Sequence, residues 1–125
     1  MKIRVYYEDT DAGGIVYHTN YIKYCERARS EHFFSRGMMP GESDKYGFVV
    51  RKMNIDFLGS AKLGDMLEVK TTLLGSTKST LTLLQEIYKD NNKLFSAEVL
   101  LVYLENGKIR RIPEYLTDVF NSFSS

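Results

Sequence analysis

The sequence predicts an α+β domain: an antiparallel five-stranded sheet packed on one long central helix, with a short helix at the C-terminus. Three observations carry this. Five segments alternate apolar and polar residues with the period of a half-buried strand. One segment, from about Asn20 to Arg36, spaces its apolar residues as a helix does. The later segments are joined by short connections rich in turn residues.

Residues 2–8 come first. Ile3, Val5 and Tyr7 face one way, and Lys2, Arg4, Tyr6 and Glu8 the other. The run DTDAGG, Asp9 to Gly14, is a polar, glycine-rich break. Tyr21, Tyr24, Cys25, Ala28 and His32 then fall at helical spacing, with Ile22, Phe33 and Phe34 beside them. Lys23, Arg27 and Glu31 take a different face, and Gly37 is a natural stop. Apolar residues cover most of this helix, which predicts a central and largely buried position.

Four strands follow the loop MMPGESD. Their core-facing sets are Val49, Met53, Ile55 and Phe57; Leu67, Val69, Thr71 and Leu73; Leu81, Leu83 and Ile87; and Ala97, Val99, Leu101 and Tyr103. GSTKS and KDNNK are hairpin connections, and Asn106-Gly107 is another tight turn, after which residues 108–112 extend the sheet. Pro113 opens a terminal helix with Leu116, Val119 and Phe120 as its stripe. One helix covers one sheet face. The other keeps Val50, Leu84 and Val102, which points to a homo-oligomer.

The length of 125 residues fits a single domain, 1–125. With 43% hydrophobic and 26% charged residues the chain is globular, not disordered. A net charge of +1 argues against a dedicated nucleic-acid binder. No apolar run is long enough to span a membrane, and the N-terminus lacks a signal-peptide core. One cysteine, Cys25, excludes an internal disulfide and suggests a reducing cytoplasm. Two His and one Cys offer no credible metal set.

The stretch from Val5 to Arg29, VYYEDTDAGGIVYHTNYIKYCERAR, carries the chemistry. It sets two carboxylates, a glycine pair, a His and an Asn between a strand and a helix start. A helix N-terminus presents unpaired N–H groups and partial positive charge, which suit an oxyanion. Gly13 and Gly14 allow close approach of a ligand. Asp11 is a carboxylate available as base or nucleophile.

Tyr7, Asp9, Thr10, Asp11, Gly14, Val16, Tyr17, His18, Asn20, Tyr21, Glu26, Ala28 and Arg29 together resemble the signature of the hotdog-fold acyl-CoA thioesterases. Within the 4-hydroxybenzoyl-CoA thioesterase group, they are most similar to the YbgC branch, associated with the Tol–Pal envelope system. The resemblance continues through Ile55, Phe57, Ala61, Leu63, Gly64, Asp65, Leu67 and Val69 and ends near Ile112 and Pro113. It implies a sheet wrapped around the helix, and hydrolysis of a thioester to an acid and free CoA. It puts Asp11 at the catalytic aspartate and His18 at the residue whose backbone N–H polarises the carbonyl, and it leaves open a further role for the His18 side chain. It implies substrate contacts at Tyr7, Gly14 and Tyr17, and a CoA phosphate contact at Lys78. Lys62, Arg110 and Arg111 are further phosphate candidates, for which a solvated surface charge is the favoured reading. Coenzyme A is part of the substrate, and no other cofactor is implied. The assembly implied is a homodimer or homotetramer, with acyl carrier protein or lipid-synthesis enzymes as further partners. One departure is Gly59-Ser60-Ala61-Lys62, where many members of the family carry a proline before the alanine.

Read one by one, Asp9 is expected to organise its loop, Asn20 to cap the helix, and Cys25 to be inert packing. Tyr7 belongs either to the site or to the core. Glu26 and Arg29 are expected in ion pairs or dimer contacts, and His32 in the core or an interface. Two other functions compete with hydrolysis. A non-catalytic acyl-CoA or acyl-carrier-protein module would not need a carboxylate aimed at the thioester. A dehydratase of the same fold would need a His–carboxylate pair in a different arrangement.

Overall fold

In the computed structural model, which describes residues 1–39, 41–42 and 46–122, one antiparallel sheet carries most of the chain. Its strands are β1 (Lys2–Arg4), β2 (Gly41–Glu42), β3 (Tyr46–Phe57), β4 (Met66–Ser76), β5 (Thr80–Lys89), β6 (Asn92–Glu105) and β7 (Lys108–Ile109). They lie in the order β1-β4-β5-β6-β3-β2, with β7 added to β6. Among the described residues the sheet thus has seven strands: the five expected, the two-residue β2, and β7, which is the extension expected at 108–112 shortened to Lys108–Ile109. β1 and β2–β3 are neighbours in sequence yet lie at opposite sides of the sheet. The intervening helix α1 (His18–Phe34) therefore crosses the sheet face. A short helix α2 (Thr117–Ser122) follows a 3-10 turn at Glu114–Leu116.

The core matches the alternation in β4, β5 and β6. Leu67, Val69, Leu81, Leu83, Ile87, Ala97, Val99, Leu101 and Tyr103 are buried; the C-terminal 3-10 turn adds Leu116, and α2 adds Val119 and Phe120. The turns also follow their chemistry: Asn106 and Gly107 both have positive φ, as a two-residue hairpin turn requires. The loop expected at 38–44 lies partly outside the described residues.

Four expectations are corrected. The first strand stops at Arg4, because the Asp9 carboxylate accepts the Tyr6 N–H (2.9 Å) and Asp9 N–H donates to the Tyr6 carbonyl (3.0 Å). These bonds close a 3-10 turn at Tyr7–Asp9. The helix buries one face only, formed by Asn20, Tyr21, Tyr24, Cys25, Ala28 and Phe33. Lys23, Glu26, Arg27 and Glu31 stay in solvent, since desolvating unpaired charges is costly. In β3 a register shift between Val50 and Lys52, on a strand whose outer edge is mostly open, leaves both Val49 and Val50 exposed. Val102, expected on the uncovered face, is buried at the end of β6, where residues 109–112 fold back and Ile112 N–H donates to Lys78 O (2.8 Å).

Gly37 ends the helix as expected. At φ +69° it lets Gly37 N–H reach Phe34 O and Met38 N–H reach Phe33 O, each at 3.0 Å. Beneath the helix, the fully buried Gln85 donates to Cys25 O (2.9 Å) and Thr71 Oγ1 (3.1 Å) and accepts from Arg29 at 2.8 Å. An ion pair or a dimer contact is expected of Arg29; within the chain, Arg29 bonds a neutral amide. Burial lowers its pKa.

Candidate active site

Residues 9–17 form a tight hairpin that ends at the start of α1. Tyr17 N–H donates to Asp9 O (2.9 Å), Thr10 pairs with Val16, and Asp11 N–H donates to Ile15 O (2.9 Å). Gly14 closes the tip by donating to Asp11 O (3.0 Å); its φ of +81° strains any residue with a side chain. Asp11 is exposed on this tip. Its Oδ1 accepts the Gly13 N–H at 2.8 Å, while Oδ2 meets no donor among the described residues.

Two anchors fix the hairpin. Asp9 is buried, and its Oδ1 accepts the Asn20 side-chain amide at 2.9 Å while Oδ2 holds the Tyr6 N–H. Asn20 is thus a tether, not the expected cap. The N-cap is Tyr17, which makes no side-chain cap bond. As the first helical residue, His18 has a backbone N–H that finds no acceptor among the described residues. The second anchor is the 58–65 loop. Val16 N–H donates to Ala61 O (2.9 Å), Ile15 pairs with Lys62, and Ala61 N–H donates to the Tyr21 hydroxyl (3.0 Å). Asp65 closes this loop by accepting the Lys62 N–H at 2.8 Å and pairing with Lys89 at 3.1 Å. That N–H and the Lys89 ammonium hold its carboxyl below the usual range. The path of the departing Gly59-Ser60-Ala61-Lys62 segment is thereby defined.

The His18 ring lies between Tyr17 (4.5 Å between centroids) and Phe57 (6.1 Å, edge-on). The arrangement sets a carboxylate with one oxygen free among the described residues on a hairpin that leads directly into a helix whose first N–H has no acceptor among them. That combination suits attack on a carbonyl carbon with stabilisation of the resulting oxyanion.

Asp11, Gly14, Tyr17 and His18 are therefore contiguous. Tyr7 sits on the adjoining 3-10 turn, 81% exposed, so it is not a core residue; its carbonyl accepts both the Thr10 N–H (3.2 Å) and hydroxyl (2.8 Å). Lys78 is not brought to this group. It lies past the far end of β4, whose 11 residues at ~3.3 Å each run roughly 35 Å. There Lys78 shares a cleft of about 270 Å³ with Arg111, above Leu73, Leu81 and Phe120. Cys25 is fully buried and its thiol is pushed up to about 12, which makes it inert. His32 is half-buried beside a second cleft, about 400 Å³, with Met1 and Glu31. Glu26 accepts from the Ser30 hydroxyl at 2.9 Å. Sequence reasoning missed the Asp9–Asn20 tether, Gln85 and the ring cluster on Phe57. Asn20 stands four residues before Tyr24 on the buried helix face, and a polar side chain there needs a buried partner.

Residues 13–96 match the family model described as thioesterase superfamily. The chain is 39% identical to the acyl-CoA thioesterase YbgC of Helicobacter pylori, over 98% of this chain and 99% of the relative. It is 40% identical to the acyl-CoA thioester hydrolase YbgC of Escherichia coli, over 94% and 92%. Among solved structures, a probable thioesterase from Bartonella henselae superposes with a TM-score of 0.82 at 33% identity, covering 90% of this chain and 97% of that one. The antiparallel sheet wrapped around one long helix is the hotdog fold of these proteins, and the chain belongs to the thioesterase superfamily.

Proposed function

We propose that the protein hydrolyses acyl-CoA thioesters to a carboxylic acid and free CoA. The observation that carries this is the free Oδ2 of Asp11 on a hairpin that ends at the unpaired His18 N–H. Asp11 takes a proton from water as it attacks the carbonyl carbon, or attacks directly to give a mixed anhydride that water opens. In both routes a C–O bond forms, the C–S bond breaks and the CoA thiolate is protonated. The His18 N–H and the positive end of the α1 dipole hold the oxyanion. Tyr7, Gly14 and Tyr17 flank the thioester. The names carried by the YbgC relatives support the substrate class.

The working unit is a homo-oligomer, at least a dimer, in a reducing cytoplasm. The open β3 edge and the exposed Val49 and Val50 support the assembly. Lys78, at the far end of its own sheet, binds the CoA phosphates for the Asp11 of a second copy. Acyl carrier protein thioesters share the reacting group and are second candidate substrates. A screen of short, long and aromatic acyl-CoAs, read by released thiol, tests the reading. Turnover of at least one class is expected. Tight acyl-CoA binding without turnover would make the protein a non-catalytic module.

A further inference from the structure

Phe57, expected in the core-facing set of its strand, instead ends β3 51% exposed. It packs against Phe95 (5.4 Å), Tyr21 (6.2 Å) and His18 (6.1 Å). Its backbone is paired with Phe95, and the next residue donates from Leu58 N–H to Leu94 O at 2.8 Å. One side of the ring is therefore fixed in the core, and the other is a rigid apolar surface open to solvent. Tyr17 (47%), Leu58 (58%) and Ile15 (37%) are large apolar residues also left exposed in the neighbouring hairpin and loop. Tyr17 and Phe57 thus present exposed ring surface on contacts with the same His18 ring, and exposed apolar surface beside polar groups suits an apolar ligand.

We propose that Phe57 is a specificity-determining residue of the site, forming the wall that the acyl group of the thioester lies against. This rests on the acyl-CoA reading above. The His18 residue that supplies the oxyanion N–H also supplies the ring that Phe57 touches. The carbons next to the thioester carbonyl must leave that carbonyl along one of the walls around His18, and Phe57 is the rigid apolar one. A flat ring favours acyl groups that cover it, aromatic or long-chain. A two-carbon acyl group extends too little to use it.

The test compares wild type, Phe57→Leu and Phe57→Ala on acetyl-, palmitoyl- and benzoyl-CoA. kcat/KM is read for each, with thermal unfolding and light scattering as controls. Phe57→Ala is expected to lose roughly tenfold or more on palmitoyl- or benzoyl-CoA relative to acetyl-CoA, and Phe57→Leu to restore the long-chain preference more than the aromatic one. An equal fall on all three substrates overturns the proposal. So does a variant that loses only its oligomeric mass, since Phe57 would then serve an interface. Should the wild type hydrolyse none of the three, the hydrolase reading fails. The Kd values of the same three ligands then decide the wall: a change in their ratio in Phe57→Ala upholds it, and an unchanged ratio overturns it.

Discussion

The buried Asp9 carboxylate accepts the side-chain amide of Asn20 at 2.9 Å, eleven residues further along the chain. This bond fastens the hairpin that carries Asp11 to the first turn of α1. With the Tyr6 N–H on its other oxygen and the Tyr17 N–H on its carbonyl, Asp9 holds three donors from two elements.

Asn20→Ala leaves a buried carboxylate oxygen without its donor. The expected cost is about 2 kcal/mol, a fall of roughly 5–10 °C in Tm. Because the tether also positions the hairpin, kcat should fall with KM little changed. Thermal unfolding and steady-state kinetics of one preparation check both. An unchanged Tm would mean that Asp9 is satisfied without Asn20.

Gln85 is the second buried polar joint. Gln85→Leu removes its bonds to Thr71, the Cys25 carbonyl and Arg29, and strands a largely buried guanidinium. We expect a loss of about 2–4 kcal/mol by urea unfolding. In the double variant Arg29→Met with Gln85→Leu, the loss should be smaller than the sum of the two single losses.

Stability should fall in acid in two steps. Burial, with Arg36 and the N-terminal amine nearby, holds His32 below its ordinary value of 6.5. The unfolded chain then binds this proton more readily than the fold does. Stability is whole above 6.5 and declines below it. Asp65 is held below 3.8 by the Lys62 N–H and Lys89, so its contribution is lost only as pH falls beneath that value. Tm measured from pH 8 to 3 should show both declines, and His32→Gln should remove the upper one alone.

Lys78→Ala should raise KM for acyl-CoA with kcat little changed, and leave a truncated thioester lacking the nucleotide unaffected. Co-refolding it with Asp11→Asn should regenerate sites of wild-type KM, built from Asp11 of one copy and Lys78 of the other. Failure of the mixture to recover low KM would place Lys78 outside the site.

Much of this was legible because strands and helices announce themselves by period. Leu67, Val69, Leu81 and Leu83 alternate as the buried faces of β4 and β5, and Gly37 sits where a helix must stop. The misses share a cause: they depend on partners distant in sequence or on local departures from period. A register shift inside β3 exposes Val49, and the fold-back of residues 109–112 accompanies the burial of Val102. No spacing rule pairs Asn20 with Asp9, or Arg29 with Gln85 across 56 residues. At the site, the Asp11–His18 stretch was legible as a motif. The distance from Asp11 to Lys78 needed the sheet order.

The central claim is that the Asp11 carboxylate performs the chemistry while His18 acts through its backbone. The most direct measurement is kcat of Asp11→Asn and His18→Ala on the best acyl-CoA, with Tm as the folding control. Asp11→Asn keeps the shape of an exposed side chain and should lose roughly 10²–10⁴ in kcat at an almost unchanged Tm. His18→Ala keeps the N–H and should retain substantial activity. A folded Asp11→Asn protein with near-wild-type kcat would contradict the account.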